Sequence, residues 1–76
     1  MQNLDCMTEK EFLKRLGKTI AQHRKANNKT LVDICAVIDM EKSNLSAIEN
    51  GRQNATSLTL KRIADAIGIE VADFFK

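Results

Sequence analysis

Apolar residues recur along this chain at helical spacing, and no stretch alternates in the manner of a strand. Phe12, Leu13, Leu16 and Ile20, continued by His23, trace one stripe, with Lys14, Arg15, Lys18 and Lys25 on the opposite side. Leu31, Ile34, Cys35 and Ile38 then follow at i, i+3, i+4, i+7, and Leu45 and Ile48 stand three apart. Leu60, Ile63, Ala64 and Ile67 repeat the four-residue pattern, and Glu70 to Phe75 reads as a last short helical turn. The pattern predicts five helices.

The residues between the stripes supply starts and stops. Thr8 with Glu11 forms a capping box, and Met7 with Phe12 a hydrophobic staple. Asn27-Asn28 ends helix one, because Asn tolerates the left-handed conformation better than most residues. Thr30 caps helix two, with Asp33 favourable in its first turn and Asp39 just past its end. Helix three occupies about 42–50 and stops at Gly51; after a polar loop, helix four begins near Thr56 or Ser57 and stops at Gly68. Residues 1–7 are expected to be a loosely ordered leader and 8–76 one folded domain. Helices two and three are too short to stand alone, so each must press its stripe onto the other and onto a third element. Joined by Asp39-Met40-Glu41, they must cross steeply as a helix-turn-helix, an arrangement that usually reads DNA.

Composition narrows the classes. A hydrophobic share of 43% suffices for a core, while no apolar run reaches membrane-spanning or signal-peptide length, so a cytoplasmic protein is expected. Cys6 and Cys35 read as free thiols, Cys35 lying on the apolar stripe of helix two. One His and two scattered Cys give no metal-ligand spacing, and no nucleophile is tied to His23, so no metal, cofactor, small-molecule ligand or enzymatic activity is expected. Net charge is only +2, but residues 1–30 carry seven Lys/Arg against three Asp/Glu, and the remainder five against seven. The basic excess thus sits on helix one and the loop after it, which suits a polyanion or a solvated helix face equally.

From Leu16 to Phe75 the chain resembles the phage-repressor and Cro-like helix-turn-helix family, which includes restriction-modification controller proteins. The residues carrying the resemblance are Leu16-Gly17, Ile20 and Arg24, then Thr30 to Ile38, then Leu45 to Gly51, and finally Leu60, Ile63-Ala64, Ala66 to Ile69 and Phe74. The resemblance implies an all-α, five-helix, lambda-repressor-like domain that binds double-stranded DNA with the N-terminal part of helix three in the major groove. By position it assigns base contacts to Lys42, Ser43, Asn44 and Ala47. Phosphate contacts fall to Thr30, Ser46, Asn50, Arg52 and Asn54, partly through helix-start N–H groups near Thr30. Arg24 and Glu49 align with an internal ion pair of the family.

The family also implies a homodimer on a pseudo-palindromic operator, because one helix covers too few base pairs for useful specificity. Ile69, Val71 and Phe75 are the interface candidates, with Phe74 in the core. Four positions depart from the familiar pattern: Leu31 stands where Gln is usual, Asp39 where Gly is, Glu41 where a Ser/Thr cap is, and Lys29 where an apolar residue is. The expected function is a small transcriptional regulator; the alternative is a protein-interaction or antitoxin-type module whose main partner is another protein.

Overall fold

Each helix of this computed structural model, which describes residues 7–76, begins at a residue able to satisfy its first free N–H groups or next to one that fails to. Four α-helices, α1 (Glu9–Ala26), α2 (Leu31–Ile38), α3 (Lys42–Glu49) and α4 (Ser57–Ile67), precede a closing 3-10 turn at Val71–Phe75. The expected fifth helix is therefore a single tight turn; the segment is too short to complete α-helical hydrogen bonding. Residues 1–6, with Cys6 and most of the expected leader, lie outside the described residues.

Thr8 and Glu11 form the expected capping box: the Glu11 N–H donates to Thr8 Oγ1 at 3.1 Å, and the Thr8 N–H donates to Glu11 Oε1 at 2.9 Å. Thr30 and Asp33 repeat it at α2, at 3.0 and 2.8 Å. Thr56 caps α4 by accepting from the Thr59 N–H at 3.1 Å. α3 starts at Glu41, whose side chain caps nothing.

The C-terminal ends use the left-handed region. Asn28 (φ 59°) and Asp39 (φ 55°) adopt it after α1 and α2. The Lys29 N–H then reaches the Arg24 carbonyl at 3.1 Å, and the Met40 N–H the Cys35 carbonyl at 3.1 Å. Gly51 (φ 74°) does the same after α3, with the Arg52 N–H on the Ala47 carbonyl at 2.9 Å. These are Schellman-type closures that satisfy carbonyls the helix leaves open. Asp39 tolerates the turn position because its short polar side chain makes the left-handed conformation less costly than a bulky one would.

Leu16, Ile20, Ile34, Cys35, Leu45, Ile48, Leu60, Ile63, Ala64, Ile67 and Phe74 make one core drawn from every element. The α1 stripe is narrower than its spacing implies: Leu16 and Ile20 are buried, Leu13 is half-buried and Phe12 is 48% exposed. Phe12 lies in the first turn of α1 and lines an open groove with Leu16, Phe74 and Phe75 instead of entering the core. His23 is half-buried, and its ring meets Phe74 edge-on at 5.9 Å, which ties the last turns of α1 to the C-terminal turn.

Candidate nucleic-acid interface

The placement of α3 begins with a residue that carries no side chain. A Cβ on Gly17 would lie 2.3 Å from the Ile48 carbonyl oxygen and 2.5 Å from that of Glu49. The backbones of α1 and α3 therefore touch there, and only glycine permits it. A Cβ on Gly51 would meet Lys14 at 2.7 Å, so the turn after α3 is seated on α1 as well. The first half of α1 thus lies beside the C-terminal end of α3.

Polar chemistry fixes the same pair of helices. Arg24 Nε donates to Glu49 Oε2 at 2.7 Å, and Nη2 donates to Oε1 at 3.0 Å. Nη1 donates to the Lys29 carbonyl at 2.9 Å, so one guanidinium joins α1, α3 and the loop before α2. Both side chains are buried, at 9% and 8% exposure, and the Glu49 hydrogen bonds raise the Arg24 pKa still further above its ordinary range. A two-bond fork holds orientation as well as distance. Leu45 and Ile48 bury the inner side of α3, leaving Lys42, Ser43 and Asn44 exposed and Ala47 half-buried at its edge.

The phosphate candidates divide. Thr30 is exposed, but its N–H and hydroxyl are engaged with Asp33, whose carboxyl is held below its ordinary pKa mainly by the bond from the Thr30 backbone. The start of α2 therefore already carries an anion. Asn50 turns its amide back to the Ser46 carbonyl at 2.8 Å, with Ser46 Oγ at 3.4 Å. Arg52 and Asn54 are exposed and join no side-chain hydrogen bond among the described residues; Asn54 lines a groove against the start of α1.

At the other end of α3, Lys25, Lys29 and Lys42 line one open groove of about 580 Å³ with Arg24 and the first residues of α2. The sequence pattern marked Lys25 as one point of a basic face and Lys29 as a departure. Their meeting with Lys42 depends on how α1 folds back beside α3, which no local spacing encodes.

Cys35 is buried at 8% exposure, and burial, followed by the negative charge of Glu49, pushes its thiol above the ordinary range. It acts as a small apolar residue of the core. Among the described residues no cluster of His, Cys, Asp and Glu is arranged to hold a metal, and no helix is long and apolar enough to cross a membrane.

Toward the C-terminus, Phe74 is buried at 3% and Phe75 is 55% exposed. Ile69 and Val71 are half-buried against the core. Phe75, Phe12, Leu16 and Phe74 line a groove of about 450 Å³, so the exposed apolar surface joins the first turn of α1 to the last turn of the chain.

Two crossed helices over a shared core, the second held by a glycine contact and a buried ion pair with its outer face free, define a helix-turn-helix protein. The helix-turn-helix family matches residues 20–74, and the chain belongs to that family, of the Cro/C1 type, a family of DNA-binding regulators. Among solved structures, the restriction-modification controller protein C.AhdI from Aeromonas hydrophila is similar over 84% of this chain and 97% of its own, with a TM-score of 0.80. The identity between the two is 20%, so that likeness speaks for the fold. Comparison with curated proteins yields no match.

Proposed function

We propose that this protein is a sequence-specific transcriptional regulator that places α3 in the major groove of duplex DNA and acts in the cytoplasm as a homodimer on a pseudo-palindromic operator. The observation that carries the reading is the rigid seating of α3. Gly17, Leu45, Ile48 and the Arg24–Glu49 fork fix its inner side, while Lys42, Ser43 and Asn44 stand exposed at its N-terminal end. N-terminal recognition-helix residues are the ones that reach base edges in this motif.

In this reading Asn44 offers the two-bond pairing to adenine N6/N7, Ser43 bonds a base edge, and Ala47 presents a methyl to a thymine methyl. Lys42 enters the groove at its rim. Arg52 and Asn54 clamp backbone phosphate beyond the C-terminal end of α3. Thr30, Ser46 and Asn50 join them by releasing their present intramolecular partners. Phe75, together with Ile69 and Val71, supplies the dimer contact, and Phe12 extends the apolar surface around Phe75.

A mobility-shift titration on duplexes selected from random sequence tests the proposal. Affinity should fall steeply as salt rises, because each neutralised phosphate releases counterions. Binding that is weak on every duplex and insensitive to salt would overturn it and favour a module whose partner is another protein.

A further inference from the structure

We propose that Lys25, Lys29 and Lys42 together hold one phosphodiester of the DNA backbone, which makes Lys42 a strand-positioning contact and not a reader of base edges. The inference rests on the duplex-DNA reading above and assigns a role within it. Three residues from three places in the sequence line one groove: the end of α1, the loop before α2 and the first residue of α3. No Asp or Glu lines that groove, and among the described residues none of the three ammonium groups enters an ion pair.

Two of the carboxylates that could have neutralised the groove are committed elsewhere. Glu49 is bound by Arg24 at 2.7 and 3.0 Å. Asp33 accepts from the Thr30 N–H at 2.8 Å, and although it feels the charge of Lys29, its side chain is not part of the groove wall. Glu41 precedes Lys42 but lies outside the lining residues. Three like charges sharing one open groove repel one another, and a mobile anion with several oxygens relieves that repulsion best.

The helix itself adds to the bias. Lys42 stands in the first turn of α3, where the helix dipole is already positive; Glu41 just before it makes no side-chain cap hydrogen bond, and no acidic residue follows within that turn. A lysine so placed is stabilised by an anion lying between it and its neighbours. A backbone phosphodiester supplies that charge at the rim of the major groove, where α3 enters. A lysine committed to it is drawn away from guanine O6 and N7 on the groove floor.

Fluorescence anisotropy tests this with the full chain, using the best duplex from random-sequence selection and a scrambled duplex of equal length, from about 50 to about 200 mM salt. Replacing Lys25, Lys29 and Lys42 together by Ala should reduce the slope of log affinity against log salt by about 0.9, the value for one phosphate, and Lys25→Ala, Lys29→Ala or Lys42→Ala alone should each reduce it by a part of that. Each should weaken both duplexes by the same factor, leaving the preference for the selected sequence unchanged. Lys29→Arg should keep the wild-type slope, and unfolding midpoints should stay constant because all three residues are exposed.

If Lys42→Ala erases the preference while the slope is kept, Lys42 reads a base and the proposal falls. It falls equally if Lys25→Ala and Lys29→Ala leave the slope untouched. A wild-type protein without salt-dependent binding would instead refute the DNA reading itself, and that result is visible before any variant is made.

Discussion

Removing Glu49 should cost about 3 kcal/mol of folding stability, a large share of the total of about 4–11 kcal/mol expected for a chain of this length. The magnitude follows from burial. Arg24 and Glu49 are exposed at only 9% and 8%, and two of the three hydrogen bonds of the guanidinium go to Glu49. Glu49→Leu leaves a nearly buried cation with one carbonyl partner, that of Lys29. Breaking a buried pair on one side costs about 3–5 kcal/mol, and the surviving carbonyl bond places this case at the lower end.

Arg24→Met should cost a similar amount by stranding the carboxylate. The double variant, Arg24→Met with Glu49→Leu, should recover most of the loss and lie within about 1–2 kcal/mol of wild type, since apolar residues of similar volume replace buried pairs well. Urea unfolding followed by far-ultraviolet circular dichroism reads the effect. At an m-value of about 1 kcal/mol/M, each single variant should lower the midpoint by about 3 M. Single losses under about 1 kcal/mol would mean that the pair behaves as an exposed surface bridge. Losses that simply add in the double variant would mean that the two residues do not act on each other; either result refutes the reasoning.

Gly17→Ala should destabilise the protein by about 1–3 kcal/mol, because the new methyl overlaps the Ile48 carbonyl oxygen, even though alanine favours a helix by about 1 kcal/mol; a raised melting temperature would disprove the α1–α3 contact. Glu11, Asp33 and Asp73 are held below their ordinary pKa values, the first two chiefly by backbone N–H bonds and Asp73 first by Lys76. Depressed carboxylates stabilise the fold fully above their unfolded pKa of about 4 and lose that contribution as pH falls through the folded values, so melting temperature should drop below about pH 4 and drop less in Asp33→Asn. Phe75→Glu should leave the melting curve of the monomer nearly unchanged, since the ring is 55% exposed, while shifting sedimentation toward the monomer; an unchanged association constant would remove Phe75 from the proposed interface.

Local order was legible along most of the chain because its signals are short-range. The capping box at Thr8, the cap at Thr30, the left-handed residues Asn28 and Asp39, and the stop at Gly51 all act within a few residues, so their spacing forecasts them. The core stripes of α2, α3 and α4 could be read for the same reason. Phe12 could not: helical spacing assigns a face to a residue, but whether anything covers that face depends on where the neighbouring helix ends. The same limit hid the last element, whose apolar residues fit a helix but whose length permits only a 3-10 turn.

The sequence by itself determined a set of short amphipathic helices with defined ends, a turn too tight for anything but a steep crossing, and a family pattern that names α3 as the outward-facing element. Tertiary structure decided what holds that element and what surrounds it. Gly17 against Ile48 and the three lysines in one groove join residues far apart along the chain, as does the Arg24–Glu49 pair, which the family resemblance had named. Such contacts arise from how α1 folds back along α3, and neither propensity nor periodicity carries information about that path. The physical reason is range: hydrogen bonds within a turn are fixed by the residues of that turn, whereas charge convergence and backbone contact are properties of the packed helices.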